Sequence, residues 1–183
     1  MADFTNSTVG IKKPNILITG TPGTGKTSTS IEACERIGFK HVNVGELVAA
    51  HGCHLGKDDE FDTLIVDEDK ICDILEPILE EGGIIVDYHS CDFFPERWFD
   101  LILVLKSNTE TLYDRLIARG YNDRKREENM ECEIMQIVLE QARESYNNDI
   151  IYELYSNNME ELNSNVDRIE GWYNNWLQQN NQS

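Results

Sequence analysis

The segment Gly20 Thr21 Pro22 Gly23 Thr24 Gly25 Lys26 Thr27 fits G-x-x-x-x-G-K-[ST] and follows an apolar run at residues 15–19. That order commits the chain to a buried strand, a glycine-rich turn and a helix. The glycines let the backbone fold closely around an anion, so that several N–H groups and the positive end of the helix converge on the same oxygens. In this pattern Lys26 reaches the outer phosphates of a nucleotide, and the Thr27 hydroxyl serves a Mg²⁺ ion that bridges them. A turn that merely capped a helix would need neither the repeated glycines nor a Lys-Thr pair at fixed offset.

Hydrophobic periodicity extends the reading along the chain. Strands are expected at residues 15–19, 39–44, 83–88, 100–106 and 150–154, and helices at 26–37, 46–50, 67–82, 109–119 and 130–146. Val166, Ile169, Trp172, Tyr173 and Trp176 share one face of a closing helix and read as core. Residues 51–62 read as a polar mobile loop, and 120–128 as a charged turn. Alternation of strand and helix gives an α/β class, a P-loop NTPase with a parallel five-stranded sheet flanked by helices. Ligands in such sheets lie beyond the carboxyl ends of the strands, where the glycine loop already sits.

A length of 183 residues suits a single domain, with loose tails at 1–13 and 178–183. No apolar stretch approaches the roughly 20 residues of a bilayer span, so no membrane role is expected. Five cysteines are odd in number and form no C-x-x-C pair, which fits a reducing compartment. The net charge of −18, from 34 acidic and 16 basic side chains, argues against direct, extended nucleic-acid binding. It suits either solubility or a basic protein partner steered onto an acidic face.

Two further groups bear on chemistry. The run Ile84 Ile85 Val86 ends in Asp87, with His89 two residues on. A carboxylate at the end of a strand beside the phosphate loop can hold Mg²⁺, and the histidine can orient or deprotonate an attacking water. Arg115 and Arg119 lie four apart on one helical face, so both could meet a single anion.

Together the phosphate loop, Asn43 Val44 Gly45 Glu46 Leu47, the block from Val86 through Cys91 Asp92 Phe93 Phe94 Pro95 Glu96 Arg97 Trp98, and Arg119 Gly120 Tyr121 Asn122 resemble the adenylate kinase isoenzyme 6 family. The resemblance spans residues 14–176. It implies a broad-specificity nucleoside monophosphate kinase with ATPase activity that uses ATP and Mg²⁺. By position, Gly23, Thr24, Gly25, Lys26, Thr27 and Ser28 would bind the ATP phosphates, with Arg115 and Arg119 nearby. Thr27 and Asp87 would serve the metal. Lys26, Asp87, His89 and Arg119 would carry catalysis. The resemblance further implies a monophosphate-binding region at 43–66, including Asn43 and Gly45, a short lid at 118–128, and Arg97 as an acceptor contact. For the family it implies small-subunit ribosome assembly and 18S rRNA maturation, with the ribosomal protein uS11 and the pre-40S particle as partners, in nucleus and cytoplasm.

The chain departs from ordinary adenylate kinases in two places. No arginine follows Leu47, and the lid is short and lacks zinc-binding cysteines. Acceptor selection is therefore expected to be weak or broad, with water able to compete. Two readings stand: a metabolic phosphotransferase acting on AMP, and an assembly ATPase whose nucleotide state changes its grip on a ribosomal protein. A guanine-reading N/T-K-x-D motif is absent after the fourth strand.

Overall fold

The computed structural model describes residues 11–59 and 63–180. Strand β1, Ile16–Thr19, is buried at every position, as an apolar run flanked by strands on both sides must be. Helix α1, Lys26–Ile37, ends at Gly38, whose φ of 69° lets its N–H reach the Cys34 carbonyl. Strand β2, Lys40–Asn43, leads into α2, Val44–His51. Strands β3, His54–Asp58, and β4, Thr63–Val66, precede α3, Glu68–Glu80. There follow β5, Ile84–Asp87, β6, Leu101–Lys106, α4, Thr109–Ala118, α5, Asp123–Ile134, and α6, Ile137–Ser145. Strand β7, Ile151–Tyr155, and α7, Met159–Asn180, complete the order.

The main sheet has five strands in the order β2-β5-β1-β6-β7, all parallel. Side chains alternate across it. Leu17, Val86, Ile102 and Val104 face a core shared with Val48 of α2, Leu75 of α3 and Leu139 of α6. Ile16, Ile18, Ile85, Leu103 and Leu105 face the other, shared with Ala33 of α1 and Val166, Ile169 and Tyr173 of α7. Trp172 and Trp176 pack partly buried against this second core, so the aromatic face of the closing helix is packing surface. Each fully buried Leu or Ile contributes about 1.5–3 kcal/mol.

Four expectations differ from the structure. Residues 51–62 are not simply a loop: β3 and β4 form an antiparallel ribbon, Gly56 opposite Ile65 and Asp58 opposite Thr63. Val66 at the end of the ribbon packs against the first core, but Leu55, Leu64 and Ile65 are exposed, so no continuous buried face imposes the alternation by which strands are read. The charged turn at 120–128 stops short, because Asn122 caps α5 by accepting the Lys125 N–H, and the helix begins at Asp123. The single helix expected at 130–146 is two, broken at Gln136, whose φ of 55° is left-handed. Of the expected tails, residues 1–10 and 181–183 lie outside the described residues, as do 60–62 of the 43–66 region, whereas 178–180 continue α7 and are not a loose tail.

Candidate active site

Position in the sheet decides which side chains meet. Strands β1 and β5 are neighbours, with Ile18 opposite Asp87. The loop that leaves β1 therefore lies beside the carboxylate that ends β5. Gly20 turns the chain at φ 145°, where a Cβ would collide with the Leu105 carbonyl. Gly23 and Gly25 follow at φ 97° and 87°, and Gly25 opens α1 in a conformation that leaves the first helical N–H groups pointing outward.

Within this loop Lys26 turns back on its own backbone. Its Nζ donates to the Gly20 and Thr21 carbonyls at 2.8 and 3.1 Å. Burial is the main cause that brings this ammonium down to about 8; Asp87 opposes the shift, Arg119 adds to it, and Glu133 opposes it. A polyphosphate would supply the anionic partner that carbonyl dipoles only partly replace. The Thr24 hydroxyl donates to the Thr21 carbonyl at 2.8 Å and braces the turn. Ser28 lies exposed at the start of the helix.

Asp87 is 2% exposed, and one of its oxygens collects three contacts. Oδ2 accepts from Thr27 Oγ1 at 2.6 Å and Asn43 Nδ2 at 3.0 Å, and it faces His41 Nε2 at 3.3 Å. Burial opposes ionisation here, but the His41 and Thr27 contacts and the Lys26 charge outweigh it and hold the carboxyl below its ordinary range. The Thr27 hydroxyl and an ionised carboxylate are the oxygen donors a hard divalent cation requires, so the residues fit Mg²⁺.

His89 is exposed, its ring 4.4 Å from that of Tyr88. Desolvation there, helped by Lys26 and Lys125, lowers its pKa to about 4. The imidazole is neutral at pH 7 and able to accept a proton.

The remaining expected residues divide. Arg119 is exposed just beyond the end of α4, and its charge is felt by both Lys26 and Arg115. Arg115 is a tether: its Nη1 donates to the Gly23 carbonyl at 3.1 Å, Ser107 Oγ at 3.2 Å and the Ser156 carbonyl at 2.7 Å. One guanidinium thus ties the phosphate loop to the turns after β6 and β7. Asn43 caps α2 through Oδ1 while its amide nitrogen holds Asp87, and Gly45 is exposed in the first turn of that helix. Arg97 lies on the surface, paired with Glu76.

Two members of the site fall outside every motif. His41 precedes Asn43 by two on β2, and the register Asn43 opposite Asp87 brings both to the same carboxylate. That period of two is a usable signal only once β2 is known to lie beside β5. Glu133, in the last turn of α5, accepts from Thr21 Oγ1 at 2.6 Å and from the Ser107 N–H at 2.8 Å. Nothing local in the sequence marks it.

Residues 16–136 match the family model described as AAA domain, which covers the site from β1 to the break after α5. A homologue of adenylate kinase isoenzyme 6 from Dictyostelium discoideum is 46% identical over 92% of this chain and 97% of its own. The chain belongs to the adenylate kinase isoenzyme 6 family. Other members include the Candida albicans homolog HBR1, 48% identical over 87% of this chain and 68% of its own. The Saccharomyces cerevisiae homolog FAP7 is 46% identical over 91% and 85%. In fold, this member of the adenylate kinase isoenzyme 6 family is similar to shikimate kinase from Acinetobacter baumannii, with a TM-score of 0.63 at 14% identity over 89% of this chain and 94% of that one. It has the P-loop kinase architecture, and the residues that would grip a nucleotide lie at one end of its sheet. Among the described residues no three His, Cys, Asp or Glu side chains gather as a metal cluster, and no helix is long and apolar enough to cross a membrane.

Proposed function

We propose that this protein transfers the γ-phosphoryl group of ATP to AMP and related nucleoside monophosphates, and hydrolyses ATP at the same site. The observation that carries the reading is the junction of Lys26, Thr27 and Asp87 at the carboxyl ends of β1 and β5. A monophosphate oxygen attacks the γ-phosphorus in line, the bond to the β–γ bridging oxygen breaks, and two nucleoside diphosphates leave. Lys26 exchanges its carbonyl partners for phosphate oxygens, and Arg119 adds positive charge from the lid turn. Magnesium, when held by Thr27 and Asp87, supplies charge neutralisation across the outer phosphates.

The second reading, a protein whose main reaction is hydrolysis, is favoured by the acceptor side. Arg97 is engaged by Glu76 and 66% exposed, and the ribbon of β3 and β4 carries exposed side chains. Neutral His89 can take a proton from water as its oxygen attacks, giving ADP and phosphate. A role in small-subunit ribosome assembly, with uS11 as the basic partner, is supported by the family resemblance and by the net charge of −18.

One set of assays tests the reading: ADP and phosphate measured together with ATP alone, with ATP plus each monophosphate, and with ATP plus uS11. AMP-dependent ADP formation in excess of phosphate release is expected. Phosphate release without AMP, joined to a partner complex altered by nucleotide, would establish the second reading. Absence of magnesium-dependent ATP affinity in calorimetry overturns both.

A further inference from the structure

The phosphate loop is held from outside by one carboxylate. Glu133 Oε2 accepts from Thr21 Oγ1 at 2.6 Å, and Glu133 Oε1 accepts from the backbone N–H of Ser107 at 2.8 Å. Three elements meet there: the loop after β1, the end of β6 and the last turn of α5. Thr21 is wholly buried, and its peptide serves twice. The hydroxyl is fixed by Glu133, while the carbonyl accepts from Lys26 Nζ at 3.1 Å and Thr24 Oγ1 at 2.8 Å. A bond from a hydroxyl to an ionised carboxylate is short and about twice as strong as a neutral one.

The break after α5 sets this geometry. Gln136 is the one non-glycine described residue at positive φ, 55°, and its side-chain oxygen accepts from Lys106 Nζ at 3.1 Å. Lys106 in turn reaches Glu153 on β7 at 3.0 Å. The end of α5 is thereby pinned to β6 and β7 with Glu133 turned inward. Elsewhere α5 buries none of its residues, and its first turn follows the segment that carries Arg119. The helix is thus anchored to the phosphate loop at one end and begins at the lid turn at the other.

We propose that Glu133 is a positioning residue that couples the lid helix to the phosphate loop, setting through Thr21 the backbone that holds Lys26 before nucleotide enters. Glu133 touches no reacting atom. Its effect passes through the Thr21 peptide, so loss of the carboxylate loosens the cradle in which Lys26 and the phosphates must meet. This inference rests on ATP being the ligand of that cradle.

The test is a double-mutant cycle read by calorimetric ATP affinity in Mg²⁺, by KM and kcat, and by melting temperature. Glu133→Ala is expected to weaken ATP binding and raise KM roughly tenfold or more, since it removes a charged acceptor from two buried donors, with a smaller change in kcat. Glu133→Gln should recover part of the affinity, its amide oxygen accepting from Ser107 while its nitrogen donates to Thr21 Oγ1. Thr21→Val should weaken ATP binding and Thr21→Ser restore it. The Thr21→Val, Glu133→Ala double variant should bind ATP no worse than Glu133→Ala alone. If Glu133→Ala fails to fold, the Thr21 pair decides. Unchanged ATP affinity, additive losses, or a lower melting temperature with intact affinity would overturn the coupling while leaving the proposed function in place. Wild-type protein that does not bind ATP would overturn both.

Discussion

Thr27 Oγ1 donates to Asp87 Oδ2 at 2.6 Å although 60 residues separate the two in sequence. The contact exists because β1 and β5 are neighbours in the sheet, and it sets an oxygen pair of the kind Mg²⁺ prefers next to the Lys26 ammonium. Replacing Asp87 with Asn removes the charge and puts an amide against the Thr27 and Asn43 donors and the His41 ring. Asp87→Asn should lower kcat roughly a hundredfold or more and raise the Mg²⁺ concentration needed for half-maximal turnover. ATP affinity in EDTA should change far less, because Lys26 remains. A Mg²⁺ titration of ADP formation that overlays the wild type would refute the metal role of Asp87.

Lys26 and His89 should separate by substitution. Lys26→Ala removes the buried cation from the loop and should abolish transfer and hydrolysis alike. His89→Ala removes the neutral base two residues beyond Asp87, which a monophosphate acceptor, already anionic, does not need. Phosphate release should fall by roughly 10²–10⁴, the range of a general base, with AMP-dependent ADP formation reduced much less. Equal losses in the two assays would remove His89 from the hydrolytic step.

The parts of this fold that the sequence makes legible are those where local and tertiary demands coincide. Helix α1 runs from Lys26 to Ile37 as expected because the glycine loop fixes its start and Gly38 its end. The central strands β1, β5 and β6 lie within a residue or so of their apolar runs, since burial on both faces leaves little freedom. The ribbon of β3 and β4 escapes notice because it meets the core through Val66 alone at its end, and α5 because a helix without a buried residue has no apolar stripe. The break at Gln136 is invisible for a different reason: the residues on either side suit a helix, and the contacts that accompany the kink, Lys106 to Gln136 and Ser107 to Glu133, come from other elements. At the site the motif residues Lys26, Thr27 and Asp87 converge, whereas His41 and Glu133 depend on strand order and on that kink.

Stability should fall in alkali through the thiols. Burial pushes Cys34 and Cys91 from 9.0 up to about 12, and Cys72 up to about 11. The unfolded chain loses these protons near 9 while the folded chain keeps them, so above that point the native state binds more protons and ΔG of unfolding declines as pH rises. The contribution is intact below about pH 9 and is lost as pH rises from about 9 through the folded values of about 11 and 12. Urea midpoints measured across this window should drop steadily, and Cys34→Ala should flatten the slope. Midpoints independent of pH over that interval would show that the thiols are not held protonated by the fold.

Asn15 makes the last test, at the end of the sheet opposite the phosphate loop. It is 4% exposed, and its amide nitrogen donates to the Leu79 carbonyl at 2.8 Å and the Trp98 carbonyl at 3.2 Å. Its amide oxygen accepts from the Ile84 N–H at 3.1 Å. One side chain therefore closes the end of α3, the start of β5 and the turn before β6. Asn15→Ala strands those buried groups and should cost about 2–4 kcal/mol in equilibrium unfolding. Asn15→Asp should be worse at neutral pH, because a carboxylate faces two carbonyl oxygens, and should regain stability in acid as it protonates. Turnover per folded molecule should match the wild type in both variants. A loss below about 1 kcal/mol for Asn15→Ala would mean that water replaces the amide and that these three elements are held together by apolar packing alone.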